Sequence, residues 1–551
     1  MTHKGIGVSS GISIGKVQIV NHKKVEILQK NIIDVEVEVS RYDEAIAISK
    51  VEIEAIIKTT KDQMGEEHGQ IFEAHLLMLQ DPQLYSEVKN YIINEKTNSE
   101  YALQKVSSMF IDMFKTMNDE YMRERAADIK DVTSRVLNHL LGIKTVDLSD
   151  LGESTIIIAD DLTPSDTATM DRKHVLGFIT NIGGRTSHTA IMARTLEIPA
   201  IVGLSGITSK LQDGDMIIMD GKEGIVIACP SEEQIEKYLI KQKEYIDKKD
   251  QLKKLVKEKS ETTDKRHIDI AANIGTAEDL DSVIANGADG IGLFRTEFLY
   301  MNSCSLPTEE EQYNAYKKVV EGMNSKEVII RTLDIGGDKE LQSMELPKEM
   351  NPFLGYRAIR ICLDKTDIFK TQLRALLRAS AYGKLKIMFP MISDVDQVKK
   401  AKALIEEVKA EIKEEGISYD ENIQVGVMIE IPAAAMISDM LAKEVDFFSI
   451  GTNDLIQYTI AVDRMNEKIS SLYDPLHPGV IRLIKMVVEN AHKEGIKVGM
   501  CGEMAGELEY IPLLVGLGLD KLSMSASSIL AARKLVRSLN YNETKELAIK
   551  Y

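Results

Sequence analysis

Apolar and polar positions along the chain fall into three textures. Residues 1–30 alternate over short runs broken by glycine ("GIGVSSGISIGKVQIV") and predict strands. From 31 to 145 the period lengthens to that of helices with little Gly or Pro, as in "YDEAIAISKVEIEAIIKTTKDQM" and "HGQIFEAHLLMLQDPQLYSEVKNYII". Short strands and turns resume over 146–230 ("TIIIAD", "VLGFITN", "PAIVG", "DMIIMDG", "GIVIAC"), so the helical block reads as an insertion within one α/β domain. Residues 231–262 are highly charged, without Gly or internal Pro, and predict a connecting helix rather than a core element. Across 263–551 eight apolar strands alternate with helices: "IDIAANIG", "GIGLFRTEF", "VIIRTLDIG", "LKIMFPMI", "QVGVMIEIP", "DFFSIGTND", "KVGMCGEM" and "DKLSMSA". Eight β/α alternations predict a TIM barrel, giving an α/β multidomain chain.

Composition narrows the function classes. A chain of 551 residues exceeds one ordinary core. A formal charge of −18 disfavours nucleic acid and anionic membranes as partners and favours a basic partner or a cation-assisted site. The helical block concentrates this acidity, with 13 Lys and Arg against 21 Asp and Glu between 31 and 145. It also holds Met64, Met78, Met109, Met113, Met117 and Met122, which suit core gaps or an adaptable docking surface. Cys229, Cys304, Cys362 and Cys501 are far apart, with no CxxC, so neither a zinc knuckle nor a disulfide framework is indicated. No apolar run approaches a membrane span and the start lacks a signal peptide's architecture, so the cytoplasm is the expected location.

Chemistry in a TIM barrel collects at the carboxyl ends of the strands. Those ends carry Arg295, Arg331, Glu430, Asn453, Asp454 and Cys501, with Arg464 shortly after. Guanidinium forks bind phosphate and carboxylate bidentately, so three around one pocket point to a small, highly anionic substrate; each taken singly fits an ion pair inside the barrel equally well. Glu430 and Asp454 with substrate oxygens and water would suit Mg²⁺, or could be structural carboxylates. Cys501, flanked by glycines in "GMCGEMAG", is a candidate general acid or nucleophile. In "NIGGRTSHTAIMAR", Gly183 and Gly184 permit a tight turn and Thr186 or Ser187 a helix cap. His188 then falls at the positive end of the helix, where a phosphate on the imidazole is favoured. Thr167 and His75 are candidate supports for it, while the remaining histidines read as structural.

At these residues the chain closely resembles the Enzyme I family of the bacterial phosphoenolpyruvate:sugar phosphotransferase system. "GGRTSHTAIMAR" is similar to the family's phosphohistidine signature and "DFFSIGTNDLIQYTIAVDR" to its second signature, with supporting matches in "GLFRTEFLY", "RTLDIGGDK", "NPFLGYRAIR", "VGVMIEIPAA" and "GMCGEMAG". In the helical block, "IFEAHLLMLQDPQL" and "YMRERAADIKDV" resemble the subdomain that docks the phosphocarrier HPr. The resemblance implies a swivelling phosphohistidine α/β domain (1–30 and 146–230) with an inserted HPr-binding helical subdomain (31–145). A linker helix (231–262) and a phosphoenolpyruvate-binding, dimerising (β/α)8 barrel (263–551) would follow. It implies that His188 takes the phosphoryl group of phosphoenolpyruvate and passes it to HPr. Arg295, Arg331, Arg464, Asn453 and Asp454 would hold the substrate, Glu430 and Asp454 would bind Mg²⁺, and Cys501 would protonate the enolate to pyruvate. A homodimer through the barrel is expected.

Three rival readings are weaker. Pyruvate phosphate dikinase and phosphoenolpyruvate synthase share the phosphohistidine domain and barrel but need an ATP-binding domain. Here there is no GxxxxGK[ST] loop and too little chain before His188 for one. A catalytically silent regulatory relative would be expected to lack one of the named site residues, and all are present. A dinucleotide fingerprint at "GIGVSSGISIG" fails because Ser10 replaces the third glycine.

Overall fold

The structure, a computed structural model, describes residues 2–550 except 21–26, 65, 117–119, 144–147, 149–150, 164–165, 167–169, 172, 185–187, 196–197, 302–304, 338–343, 345, 348, 465 and 467. Its contacts divide it into two compact units, Met1–Lys248 and Lys249–Tyr551.

The first unit is built on one mixed eight-stranded sheet. Its strands are β1 (Thr2–Lys4), β2 (Ile6–Ser9), β3 (Ile12–Val20), β4 (Thr155–Ala159), β5 (Val175–Thr180), β6 (Ala200–Val202), β7 (Met216–Asp220) and β8 (Ile225–Ala228), in the order β1-β8-β7-β3-β4-β5-β6-β2. The β3, β4, β5 and β6 neighbours run parallel, and β4, β5 and β6 are buried along nearly their whole length, on both faces. A parallel pair cannot be joined by a hairpin and needs a crossover. Between β3 and β4 that crossover is the helical block: α1 (Val35–Met64), α2 (Glu66–Leu79), α3 (Pro82–Glu95), α4 (Ser99–Thr116) and α5 (Glu120–Leu141). These helices close on their own core of Tyr42, Ile53, Val88, Ile92, Leu103, Val132 and Val136. Arg41 ties the bundle's ends, reaching Glu38 at 2.8 Å, Glu100 at 2.7 Å and the Leu140 carbonyl at 3.1 Å. The charged segment forms a helix over Glu232–Lys253 with no buried residue, as its pattern predicts. Its first half still lies along the sheet, where Lys241 meets Asp220 at 3.0 Å and Gln242 donates to the Ile12 carbonyl at 2.7 Å.

The second unit is a closed parallel barrel of β9 (Asp269–Ile274), β10 (Gly290–Arg295), β11 (Glu327–Arg331), β12 (Leu385–Phe389), β13 (Gln424–Ile429), β14 (Phe447–Ile450), β15 (Lys497–Met500) and β16 (Lys521–Met524), with β16 returning to β9. All eight predicted strands are present. Leu293, Ile329, Met388, Met428, Phe447 and Cys501 fill part of its interior, while larger apolar side chains pack strands against the outer helices.

Candidate active site

In the first unit, β5 ends at Thr180 and delivers the chain into the stretch that precedes His188. Asn181 anchors this turn: its side-chain amide donates to Thr208 Oγ1 at 2.7 Å and to Asp160, while its Oδ1 accepts from the Ile207 amide at 2.8 Å. Gly183 has φ of 123°, a conformation that favours glycine. The residues expected to cap the helix, Thr186 and Ser187, lie outside the described residues, as does Thr167. His188 is the first residue of the helix His188–Thr195, where the positive end of the helix dipole lies. That helix is held by its buried face of Thr189, Ala190, Met192 and Ala193, with Thr189 Oγ1 donating to the Leu162 carbonyl at 3.2 Å. His75 is buried on α2, edge-on to Phe72, with Nε2 3.3 Å from Asp128 and Nδ1 3.9 Å from Asp131. Its described contacts are therefore with the helical block's own carboxylates.

In the barrel, Arg295 and Arg331 are the last residues of adjacent strands and sit side by side in register. Arg295 is exposed and lies over the Phe298 ring at 5.4 Å. Arg331 is buried, and its Nη2 reaches Glu297 at 2.5 Å and Asp334 at 3.0 Å. Burial alone would lower its pKa, but Asp334 and Glu297 hold the guanidinium firmly charged. Its Nε is buried with no hydrogen-bond partner, which leaves one donor for an incoming oxygen.

Glu430 directly follows β13 and accepts from the Met391 amide at 2.6 Å. Asp454 is not at a strand end. The chain turns at Gly451, where a Cβ would come within 3.0 Å of Glu430 Oε2, and enters a helix over Thr452–Ile460. Asn453 and Asp454 therefore stand on that helix's first turn. Asn453 Oδ1 accepts from the Glu503 amide at 2.9 Å, linking this turn to the loop after β15. Arg464 follows the helix, its amide donating to Gln457 Oε1 at 3.1 Å and its Nε buried without a hydrogen-bond partner.

A second buried guanidinium, Arg357, joins the network. Its Nη2 meets Asp334 at 3.0 Å and Asp454 at 3.5 Å, and its Nη1 donates to the Tyr458 hydroxyl at 3.2 Å. Gly336, at φ of 101°, allows the close backbone approach, since a Cβ there would lie 2.5 Å from Arg357 Cβ. Sequence reasoning missed Arg357, Asp334 and Glu297 as site residues. All three lie in segments quoted for the resemblance, but none stands at a strand end, which was the signal used.

The buried cluster thus sets Arg331 and Arg357 against Glu297, Asp334, Glu430 and Asp454, an excess of two carboxylates. Burial pushes the Glu430 carboxyl up to about 8, reinforced by Asp454 and Asp334. Asp454 Oδ1 is buried with no hydrogen-bond partner. Surplus negative charge and an unsatisfied carboxylate oxygen fit a hard divalent cation. Among the described residues no group of three or more His, Cys, Asp or Glu forms a complete cage.

Cys501 directly follows β15, with its amide 3.1 Å and its Sγ 3.8 Å from the Ile450 carbonyl. Asn273 donates to the Cys501 carbonyl at 3.0 Å and to that of Ser523 at 3.3 Å, holding the loop against the barrel rim. Burial pushes the thiol up to about 11, so it is neutral and carries a proton at ordinary pH. Arg331, Glu430 and Arg295 all act on that thiol electrostatically, which places Cys501 beside the charged cluster.

Comparison with known proteins shows the family to which the chain belongs. The family described as PEP-utilising enzyme, PEP-binding domain, matches residues 249–541; the PEP-utilising enzyme N-terminal family matches 4–125 and the mobile-domain family 151–224. A phosphoenolpyruvate-protein phosphotransferase of Priestia megaterium is 56% identical over 98% of this chain and 94% of its own. One of Bacillus subtilis is 55% identical over 98% of this chain and 95% of its own, and one of Staphylococcus carnosus 53% identical over 99% and 95%. Matched by such relatives along nearly its whole length, the chain belongs to the phosphoenolpyruvate-protein phosphotransferase family of PEP-utilising enzymes.

Proposed function

We propose that the protein moves the phosphoryl group of phosphoenolpyruvate onto His188 and then onto a histidine of the phosphocarrier HPr. Pyruvate is released, and the transfer is the first step of sugar uptake by the phosphotransferase system. The observation that carries this reading is the convergence, at the carboxyl end of one barrel, of buried guanidiniums, carboxylates and a protonated thiol.

Phosphoryl transfer asks a protein for in-line positioning and charge neutralisation more than for covalent help. Arg331, with its spare Nε, and Arg295 and Arg464 bind the substrate's phosphate and carboxylate, assisted by Asn453 and Asp454. Glu430 and Asp454 would hold Mg²⁺, which when bound neutralises charge on the substrate oxygens. The His188 imidazole attacks the phosphorus through Nε2, the bond to the enol oxygen breaks, and the enolate's methylene carbon takes the proton of the Cys501 thiol to give pyruvate. A thiol held neutral by burial suits that role, because it arrives at the enolate already protonated. His188 then carries the group to HPr, with 31–145 as the docking subdomain for HPr's basic face and the helix at 231–262 as the pivot between the phosphohistidine domain (1–30 with 146–230) and the barrel (263–551). The protein works in the cytoplasm as a homodimer.

The test is incubation with Mg²⁺ and phosphorus-labelled phosphoenolpyruvate, with and without HPr, followed by mapping of the acid-labile phosphate. One labelled residue, His188, is expected, with label chased onto HPr and absent from His188→Ala. Full stoichiometric labelling of any other residue overturns the assignment.

A further inference from the structure

A buried hydrogen-bond chain, which the transfer reaction does not use, meets the strand ends that carry Arg295 and Arg331. The ladder between β10 and β11 stops at that pair, so it no longer holds the segments that leave the two strands. Side chains take over. Thr296 Oγ1 donates to the Arg331 carbonyl at 2.9 Å. Gln372, on the helix Thr366–Ser380, reaches both segments with one amide. Its Oε1 accepts from the Leu333 amide at 2.9 Å, and its Nε2 donates to Thr296 Oγ1 at 3.1 Å and to the Tyr316 hydroxyl at 3.2 Å. The backbone donor at Leu333 fixes which way round the side-chain amide sits. The chain runs on from Tyr316 to Gln312 Oε1 at 3.1 Å, which also accepts from the Tyr300 hydroxyl. Gln372, Thr296, Tyr316, Gln312 and Tyr300 are each 1% exposed or less, so a partner lost here leaves a polar group unsatisfied away from water. The helix bearing Gln372 is itself fixed, because Arg374 and Arg378 both bind Glu309 of the helix Glu309–Gly322, at 2.7 and 2.6 Å.

We infer that Gln372 is a positioning residue of the phosphoenolpyruvate site, whose amide sets the spacing of Arg295 and Arg331 by locking together the segments that follow β10 and β11. The inference rests on the reading above, in which those arginines grip the substrate. Each clamped residue adjoins a group that matters there. Thr296 separates Arg295 from Glu297, Leu333 precedes Asp334, and Glu297 and Asp334 are the carboxylates that hold Arg331. Two guanidinium forks hold one small anion only when both reach it together, and a displacement of about 1 Å can cost about 10²-fold. A glutamine serves because it accepts and donates at once. Methionine would fill the same space and do neither. A glutamate would keep the acceptor toward Leu333, but once ionised it has no hydrogen to give Thr296; protonated, it regains one. Burial raises a carboxyl's pKa, so that change is expected between about pH 6 and pH 9.

The test measures Kd for phosphoenolpyruvate by titration calorimetry of the full-length protein in a His188→Ala background, where binding is separate from transfer. KM and kcat for pyruvate release are measured with His188 intact. In Gln372→Met, Kd and KM are expected to rise about tenfold while kcat stays within about threefold of the parent. A merely structural role would instead lower kcat through loss of active protein and leave KM and Kd unmoved. In Gln372→Glu, Kd relative to the parent is expected to climb at least about fivefold from pH 6 to pH 9 as the donor is lost. The Gln372→Met ratio should stay flat over that range, which separates loss of the clamp from added charge. Gln372→Glu at pH 6 also carries the test should Gln372→Met fail to fold. An unchanged Kd in folded Gln372→Met, or a Gln372→Glu ratio that does not move with pH, would overturn the inference. A parent that binds phosphoenolpyruvate normally but never labels His188 would overturn the transfer reading alone, since the Kd comparison would still decide the role of Gln372.

Discussion

Replacing Asp334 by asparagine removes one charge from between two buried guanidiniums while keeping the side chain's size. In the native barrel Asp334 is 1% exposed and lies 3.0 Å from both Arg331 Nη2 and Arg357 Nη2. Breaking a buried ion pair by deleting one partner costs about 3–5 kcal/mol, because the other charge stays buried. Arg331 keeps Glu297 at 2.5 Å and Arg357 keeps Asp454 at 3.5 Å, so the low end, about 3 kcal/mol, is expected. The barrel unit spans Lys249–Tyr551, which at about 2 cal/mol/K per residue gives an unfolding entropy of roughly 0.6 kcal/mol/K. The barrel's transition should therefore fall by about 5 °C in scanning calorimetry of the full chain, with the first unit's transition unmoved. A barrel transition within about 1 °C of wild type, or above it, would refute the claim that Asp334 is the shared counter-ion of the two arginines.

Four further outcomes follow from the same geometry. Cys501→Ala should slow pyruvate formation by about 10²–10⁴-fold while phosphoenolpyruvate still binds, as measured by lactate-dehydrogenase-coupled turnover alongside equilibrium binding; unchanged turnover would remove the thiol from the reaction. With its pKa raised from about 9 to about 11, Cys501 stays protonated through neutral pH. Its alkylation by iodoacetamide should therefore climb about tenfold per pH unit from 8 until near 11, and a plateau by pH 9 would contradict the burial argument. That same rise in pKa makes the thiol's contribution to barrel stability complete below about 9 and lost as pH climbs through about 11. Gly502→Ala would put a Cβ onto Thr452 Oγ1 and 2.7 Å from the Thr452 amide nitrogen, forcing apart the loop of Cys501 and the helix of Asp454. Turnover should drop at least about tenfold with the fold retained by circular dichroism, whereas wild-type turnover would show that the two segments move independently.

Much of the architecture was legible because burial on both faces leaves a strong imprint. Runs such as "VIIR", "KIMF" and "QVGVMI" can only be barrel strands when they recur between amphipathic helices, and the ends of such runs pointed to Arg331, the last residue of β11, and to Glu430 and Cys501, which directly follow β13 and β15. The rule failed wherever a side chain reaches the cluster from a loop or helix. Arg357 comes from the long connection after β11, positioned by Gly336, and Glu297 from the short helix after β10; neither position has a periodic signal. Asp454 was named but placed at a strand end, since the helical turn made at Gly451 leaves no mark in an apolar run.

The sheet of the first unit also dictates an order of assembly. Lys16 pairs with Thr155, and Thr2 pairs with Ile227, so its strands come together from distant parts of the chain. A nascent polypeptide has therefore completed the five intervening helices, which own a separate core, long before the last strand of the sheet has been made. The bundle is expected to condense first and act as a clamp that brings β3 and β4 within reach, shortening the loop whose closure limits the rate. Mutations that loosen the bundle should then delay maturation of the first unit's sheet even where they touch no residue of it.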